Sequence, residues 1–271
     1  MPGRADLFQA IQVRLEKIKK IIDTVWMNIF RDILITLGFM TRIGPVMEIE
    51  ADDIGRTVKW MPLSGLVLGA VVVLPFWLGL FAGKFWIQSW LTVAASVYLT
   101  RGLHFDGFAD IADGAGPYPD PERFWKIIKD SCSGVFGVLA SVLAVLGQAV
   151  CFFYVYEAGA YGAVIWIFVL GRFGNALMSM VGKPLARPGQ GSLSMRGADG
   201  LSIGVGALTA ILAGAFAVSP MVQLLAYVFC GGAILFLFRL AKRVNGANGD
   251  FLGAAVVLCE LAGLLAFCAV N

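Results

Sequence analysis

Histidine occurs once in this 271-residue chain, and charged residues make up only 14% of it against 59% hydrophobic. Ordinary soluble domains carry about a quarter of their residues as charges. That scarcity, with a mean hydropathy of +0.81, excludes such a fold and indicates an all-α polytopic integral membrane protein. Cysteine is also sparse: Cys132, Cys151, Cys230, Cys259 and Cys268 show no CxxC spacing, and four of them lie in apolar runs. They read as small core residues, which speaks against a zinc site or a disulfide framework. The formal charge of +3 reports topology, and no nucleic-acid partner follows from it.

Apolar runs near the length of a bilayer crossing cover residues 62–81, 85–99, 134–156, 160–180, 201–218, 221–240 and 251–270. We expect about seven transmembrane helices, six to eight being the range the runs allow, with the second and fifth somewhat short. Residues 33–40 are too brief to cross alone and read as re-entrant or interfacial. Basic residues are nearly missing from one side of these spans. Of the 21 Lys and Arg, nineteen fall on the side of the N-terminus, Lys84 faces the other way and Arg172 lies inside a span. The positive-inside rule puts the charged loops in the cytoplasm. The first residues are polar, so no signal peptide is expected. Residues 5–30 space Leu7, Ile11, Leu15, Ile18 and Ile22 by three or four against a basic face. We expect a basic amphipathic membrane-surface helix over 1–30, with packing on the cytoplasmic loops as the alternative, and a single transmembrane catalytic domain over 31–271.

Between the second and third spans acidic residues cluster. The segment RGLHFDGFADIADG at 101–114 holds Asp106, Asp110, Asp113, His104 and Arg101. The aspartates stand at i, i+4 and i+7, on one face if the segment is helical. Three like charges there repel unless a cation lies between them. Oxygen ligands with no cysteine nearby suit Mg²⁺ or Mn²⁺, which complete their shells with substrate phosphates. A solvated acidic loop is the plain alternative.

By the orientation argument, two more segments share this side and are free to meet the first. In 182–199, Gly, Pro and Ser surround Lys183 and Arg187, as a phosphate pocket would use. In 242–250, Asp250 precedes a span and is either a fourth carboxylate or simply a helix N-cap. Asp120 and Pro121 read as a helix start, followed by Lys126 and Lys129 at the membrane edge. These lysines either neutralise phosphate or snorkel. Arg172 and Glu260 sit within apparent spans, as functional charges or as an ion pair with each other.

RGLHFDGFADIADG, followed by KDSCSGVFG, LARPGQG and NGANGDFLGA, resembles the cobalamin synthase (adenosylcobinamide-GDP ribazoletransferase) family, from about Thr41 to Glu260. The most specific string, HxDGxADxxDG, is carried by His104, Asp106, Gly107, Ala109, Asp110, Asp113 and Gly114. Cys132 and Ser133 depart from the usual pattern, as does Asn248. The resemblance implies phosphoryl transfer: the hydroxyl of α-ribazole, or of its 5′-phosphate, attacks the pyrophosphate of adenosylcobinamide-GDP and GMP leaves. It implies Mg²⁺ on Asp106, Asp110 and Asp113, with Asp250 as a further ligand. His104 would orient or deprotonate the hydroxyl or act as a spacer, and Arg101, Lys129 and Arg187 would bind phosphates. The expected setting is a bacterial inner membrane with the site facing the cytoplasm, and a homo-oligomer or pathway-enzyme partner is left open. Two rivals are a CDP-alcohol-type phosphotransferase, whose string needs an Arg where this chain has Asp110, and a transporter using Arg172 and Glu260. No internal repeat supports the transporter.

Overall fold

A computed structural model describes residue 19 and residues 26–116, 120–130 and 132–271. The expected amphipathic helix lies for the most part outside these residues. Helix α1 spans 26–40 and absorbs the stretch 33–40 into a longer helix. There follow α2 (Ala51–Thr57), a 3₁₀ turn (Val58–Trp60), α3 (Met61–Trp77), α4 (Phe85–Leu99), α5 (Leu103–Ala115) and α6 (Pro121–Ile127). The remainder are α7 (Val135–Glu157), α8 (Tyr161–Gly182), α9 (Gln190–Gly197), α10 (Gly200–Ala217), α11 (Pro220–Arg243) and α12 (Gly249–Val270). No strand occurs among the described residues. Among the described residues six segments are long and apolar enough to cross a membrane, Ala51–Trp77 and α7, α8 with its following turn, α10, α11 and α12, and α4 is a shorter apolar helix. The chain is thus a multi-pass membrane protein, as its composition requires. α3 stops at Trp77, short of the expected residue 81, because Gly79 and Phe81 take left-handed backbone, with φ of 99° and 53°.

Two helices form the centre. α8 is buried along most of its length and packs on α3, α10, α11 and α12, while α12, equally buried, packs also on α5 and α7. The outer helices α7, α10 and α11 turn Leu139, Leu143, Leu208, Leu212, Leu224 and Val228 outward. With no water to drive them together, membrane helices associate through close packing of small residues. Gly171 and Gly174 of α8 accordingly lie directly on Glu260 and Cys259 of α12.

Inside this core Arg172 pairs with Glu260, whose second oxygen accepts from Gln148 Nε2 at 3.0 Å. The two charges are therefore structural partners that join α7, α8 and α12. The transporter reading loses its intramembrane charges. Cys151, Cys230 and Cys259 are buried and unbridged, as expected of core residues.

Candidate active site

A sharp corner between α4 and α5 sets the site. Arg101 and Gly102 both adopt left-handed backbone, with φ of 59° and 69°. Arg101 holds its strained position by donating to the carbonyls of Gly38 and Phe39 at the end of α1, at 2.9 and 2.6 Å. α5 then lies against the start of α12 with no space between. A Cβ on Gly107 would stand 2.8 Å from Asp250 Cα, and one on Gly253 would stand 3.2 Å from the His104 carbonyl. Two glycines thus bring carboxylates on two helices to one crossing point.

The three segments do meet. The loops after α8 and α11 are zipped by Arg187 N donating to Ala247 O and Ala247 N to Leu185 O, both at 2.8 Å. Trp125 of α6 donates its Nε1 to Val244 O at 2.7 Å, and its ring carries the Arg187 guanidinium 4.1 Å above its centre. Asp120 caps α6 by accepting from Arg123 N, as its sequence position suggests. α12 is capped at Asn248 and not at Asp250. Asp250 sits inside the first turn, where its carboxylate accepts from Asn248 Nδ2 at 2.6 Å.

Two adjoining cavities open at this junction. One, of about 340 Å³, is lined by His104, Asp106, Asn175, Arg187, Asn248 and Asp250 with the 188–191 turn. The other, of about 840 Å³, is lined by Arg101, Asp106, Ser133 and Gln190 among others. Asp106 and Gln190 border both. Lys129 is exposed and lines neither cavity. Asn175 and Asn248 are cleft residues that the sequence motifs did not single out. Their Oδ1 atoms, with His104 Nε2, are buried and unpartnered among the described residues. Such atoms are costly unless something else satisfies them.

Electrostatically the cleft and the α5 face beside it are acidic, although Asp110 and Asp113 line neither cavity. Among the described residues Asp106, Asp110, Asp113 and Asp250 have no ion-pair partner. Burial, then the charges of Asp250, Asp106 and Asp113, push Asp110 up to about 6. Burial, with the nearby Arg172 charge, pushes His104 well below its ordinary value, so it stays neutral at pH 7. Asp113 is differently placed: its oxygens accept from Gly134 N and Gly137 N, each at 2.7 Å, at the start of α7. It serves first as the anchor of a helix N-terminus. Oxygen-only donors with excess negative charge fit a hard cation. In the present rotamers no three acidic, His or Cys side chains among the described residues converge to metal-binding distance.

The profile of the cobalamin-5-phosphate synthase family matches residues 32–268. The chain belongs to that family. Curated relatives named adenosylcobinamide-GDP ribazoletransferase agree. That of Nitratidesulfovibrio vulgaris strain DP4 is 40% identical over 233 residues, 86% of this chain and 95% of the relative. That of Thiobacillus denitrificans is 32% identical over 239 residues, 87% and 94% of the two chains. No solved structure matches. Within the cobalamin-5-phosphate synthase family profile lie every cleft residue described above and both glycines of the α5–α12 crossing.

Proposed function

We propose that this enzyme joins adenosylcobinamide-GDP to α-ribazole or its 5′-phosphate, releasing GMP, as the final assembly step of cobalamin. The observation that carries this reading is the convergence of His104, Asp106, Asp250 and Arg187 on one cleft, in a chain of this family. The ribazole hydroxyl oxygen attacks the phosphorus bonded to adenosylcobinamide, and the bond from that phosphorus to the GMP oxygen breaks. Displacement at phosphorus asks for positioning and charge neutralisation more than for covalent chemistry.

Asp106, Asp110 and Asp250 are the residues we assign to Mg²⁺, with Asp113 behind them as the α7 anchor. When bound, the ion neutralises charge on the pyrophosphate oxygens. Arg187 and the 188–191 turn at the start of α9 hold phosphate oxygens, and Arg101 borders the adjoining cavity. His104, neutral and with a buried unpartnered Nε2, orients the attacking hydroxyl. The burial that keeps it neutral makes it a poor proton store, which favours orientation over deprotonation. The inner-membrane location and a cytoplasmic cleft are supported by the nineteen basic residues on the cleft side.

Purified protein given adenosylcobinamide-GDP, α-ribazole and Mg²⁺ should release GMP and form a cobalamin. Asp106→Asn should lower the rate by about 10²–10³-fold, the scale of losing a key electrostatic group. Failure of the wild type to release GMP sinks the activity. Turnover by Asp106→Asn, or by the wild type in excess chelator, sinks the metal assignment alone.

A further inference from the structure

A third cavity, of about 520 Å³, lies away from the cleft and shares no lining residue with it. Its walls come from α2, the 3₁₀ turn, the far end of α9 and the first turn of α10. They carry three cations, Arg56, Lys59 and Arg196, and two carboxylates, Asp52 and Asp199. Asp199 is committed to capping α10, accepting from Ser202 N at 2.8 Å. Arg56 and Lys59 are shared with Asp32 and Asp53 on the other side. Arg196 is held only by Ser192, through its backbone and side-chain oxygens at 3.4 and 3.3 Å, and has no acidic partner among the described residues.

The position of the cavity says what its anion would be. It sits where α3 and α10 begin, at Met61 and Gly200, with Trp60 beneath Lys59; tryptophan and lysine are characteristic of headgroup depth. Directly below it, α10 exposes Leu201, Leu208 and Leu212, spaced to lie along one side of the helix, with relative exposures of 69%, 57% and 50%. A pocket in which Arg196 has no acidic partner among the described residues, set above an apolar track, matches a molecule with a phosphate at one end and a hydrocarbon chain at the other.

We propose that this cavity seats the headgroup phosphate of an anionic phospholipid, with an acyl chain lying along α10. Its occupant would bear on the cleft through α9. That short helix presents Gln190, Gly191 and Ser194 to the catalytic cavity and Leu193, Arg196 and Gly197 to this one.

Native mass spectrometry of the wild-type protein, released from phosphatidylcholine nanodiscs doped with phosphatidylglycerol, should show preferential retention of phosphatidylglycerol. Each cation near an anionic membrane surface contributes roughly a fivefold preference. The Lys59→Gln/Arg196→Gln double variant should therefore weaken retention on the order of 25-fold, and Arg196→Lys should preserve it. Indifference of the wild type between the two lipids would overturn the proposal, as would unchanged retention by the double variant. Displacement of the lipid by soluble glycerol phosphate would overturn it in favour of a soluble phosphate. Because the readout is lipid binding, none of these outcomes depends on the catalytic assignment.

Discussion

Asp113→Asn removes the charge from a carboxylate whose two oxygens each receive a backbone N–H at 2.7 Å, from Gly134 and Gly137. A helix start leaves its first N–H groups without intrahelical partners, and this side chain answers two of them for α7. The amide keeps one acceptor and turns an N–H toward the other donor. Losing one hydrogen bond to a charged group costs about 1.5–3 kcal/mol, and the weaker interaction with the helix dipole adds up to about 1 kcal/mol. The sum is roughly 2–4 kcal/mol. At about 2–4 °C per kcal/mol for a chain of this size, the thermal midpoint should fall by roughly 4–16 °C. Tryptophan fluorescence during a thermal ramp in detergent, with chelator present, reads this directly. Asp110→Asn is the contrast. Asp110 is raised to about 6 because its charge is disfavoured by burial and by three aspartates. The folded state therefore binds that proton more tightly than the unfolded chain, and stability is lost as pH rises from the ordinary carboxylate range through 6. Neutralising Asp110 should leave the midpoint unchanged or raise it at pH 7, while activity is lost. An Asp113→Asn protein that melts like wild type yet is inactive would refute the anchoring role and make Asp113 a ligand only.

Two further outcomes follow from packing. Glu260→Ala should destabilise by about 3–5 kcal/mol because it strands the buried Arg172, whereas Arg172→Met combined with Glu260→Leu should recover most of that loss. Thermal midpoints of Arg172→Met, Glu260→Leu and their double variant form the cycle, and strictly additive losses would refute the pairing. Gly107→Ala places a methyl 2.8 Å from Asp250 Cα and must push α5 from α12. We expect a rate loss on the order of 10²-fold, as for a misplacement of about 1 Å at a reacting centre, and wild-type turnover would mean the two helices do not hold the site.

Composition made the membrane class and the spans legible, because apolar runs of crossing length admit few other readings. α4 was recognisable despite its fifteen residues, since Gly83 and Lys84 precede it and Arg101 and Gly102 follow it. The aspartate string was visible for the same reason that any charge is visible in an apolar chain. Its division of labour was not. Asp106, Asp110 and Asp113 share one helical face, yet Asp113 bonds to the start of α7 while Asp110 feels the charges of the other carboxylates. The packing of α5 against both α12 and α7 decides that. The resemblance sets Lys129 with the phosphate groups, but in the turn after α6 it is exposed and lines neither cavity. Asn175 carried no signal, being one polar residue in a buried helix, and needed the cleft to give it meaning.

Arg187 rests on the face of Trp125 while the same indole is fixed by its Nε1 to Val244. A long, flexible cation is thereby kept extended and partly dehydrated beside the cleft before any substrate arrives. A cation–π contact at such a place is worth about 1 kcal/mol, so little holds the guanidinium to the indole. The ordering cost of the side chain has already been met by the fold. On the proposed reading, an arriving pyrophosphate would require only a short swing of that guanidinium, and the indole would be the place to which it returns when the nucleotide departs.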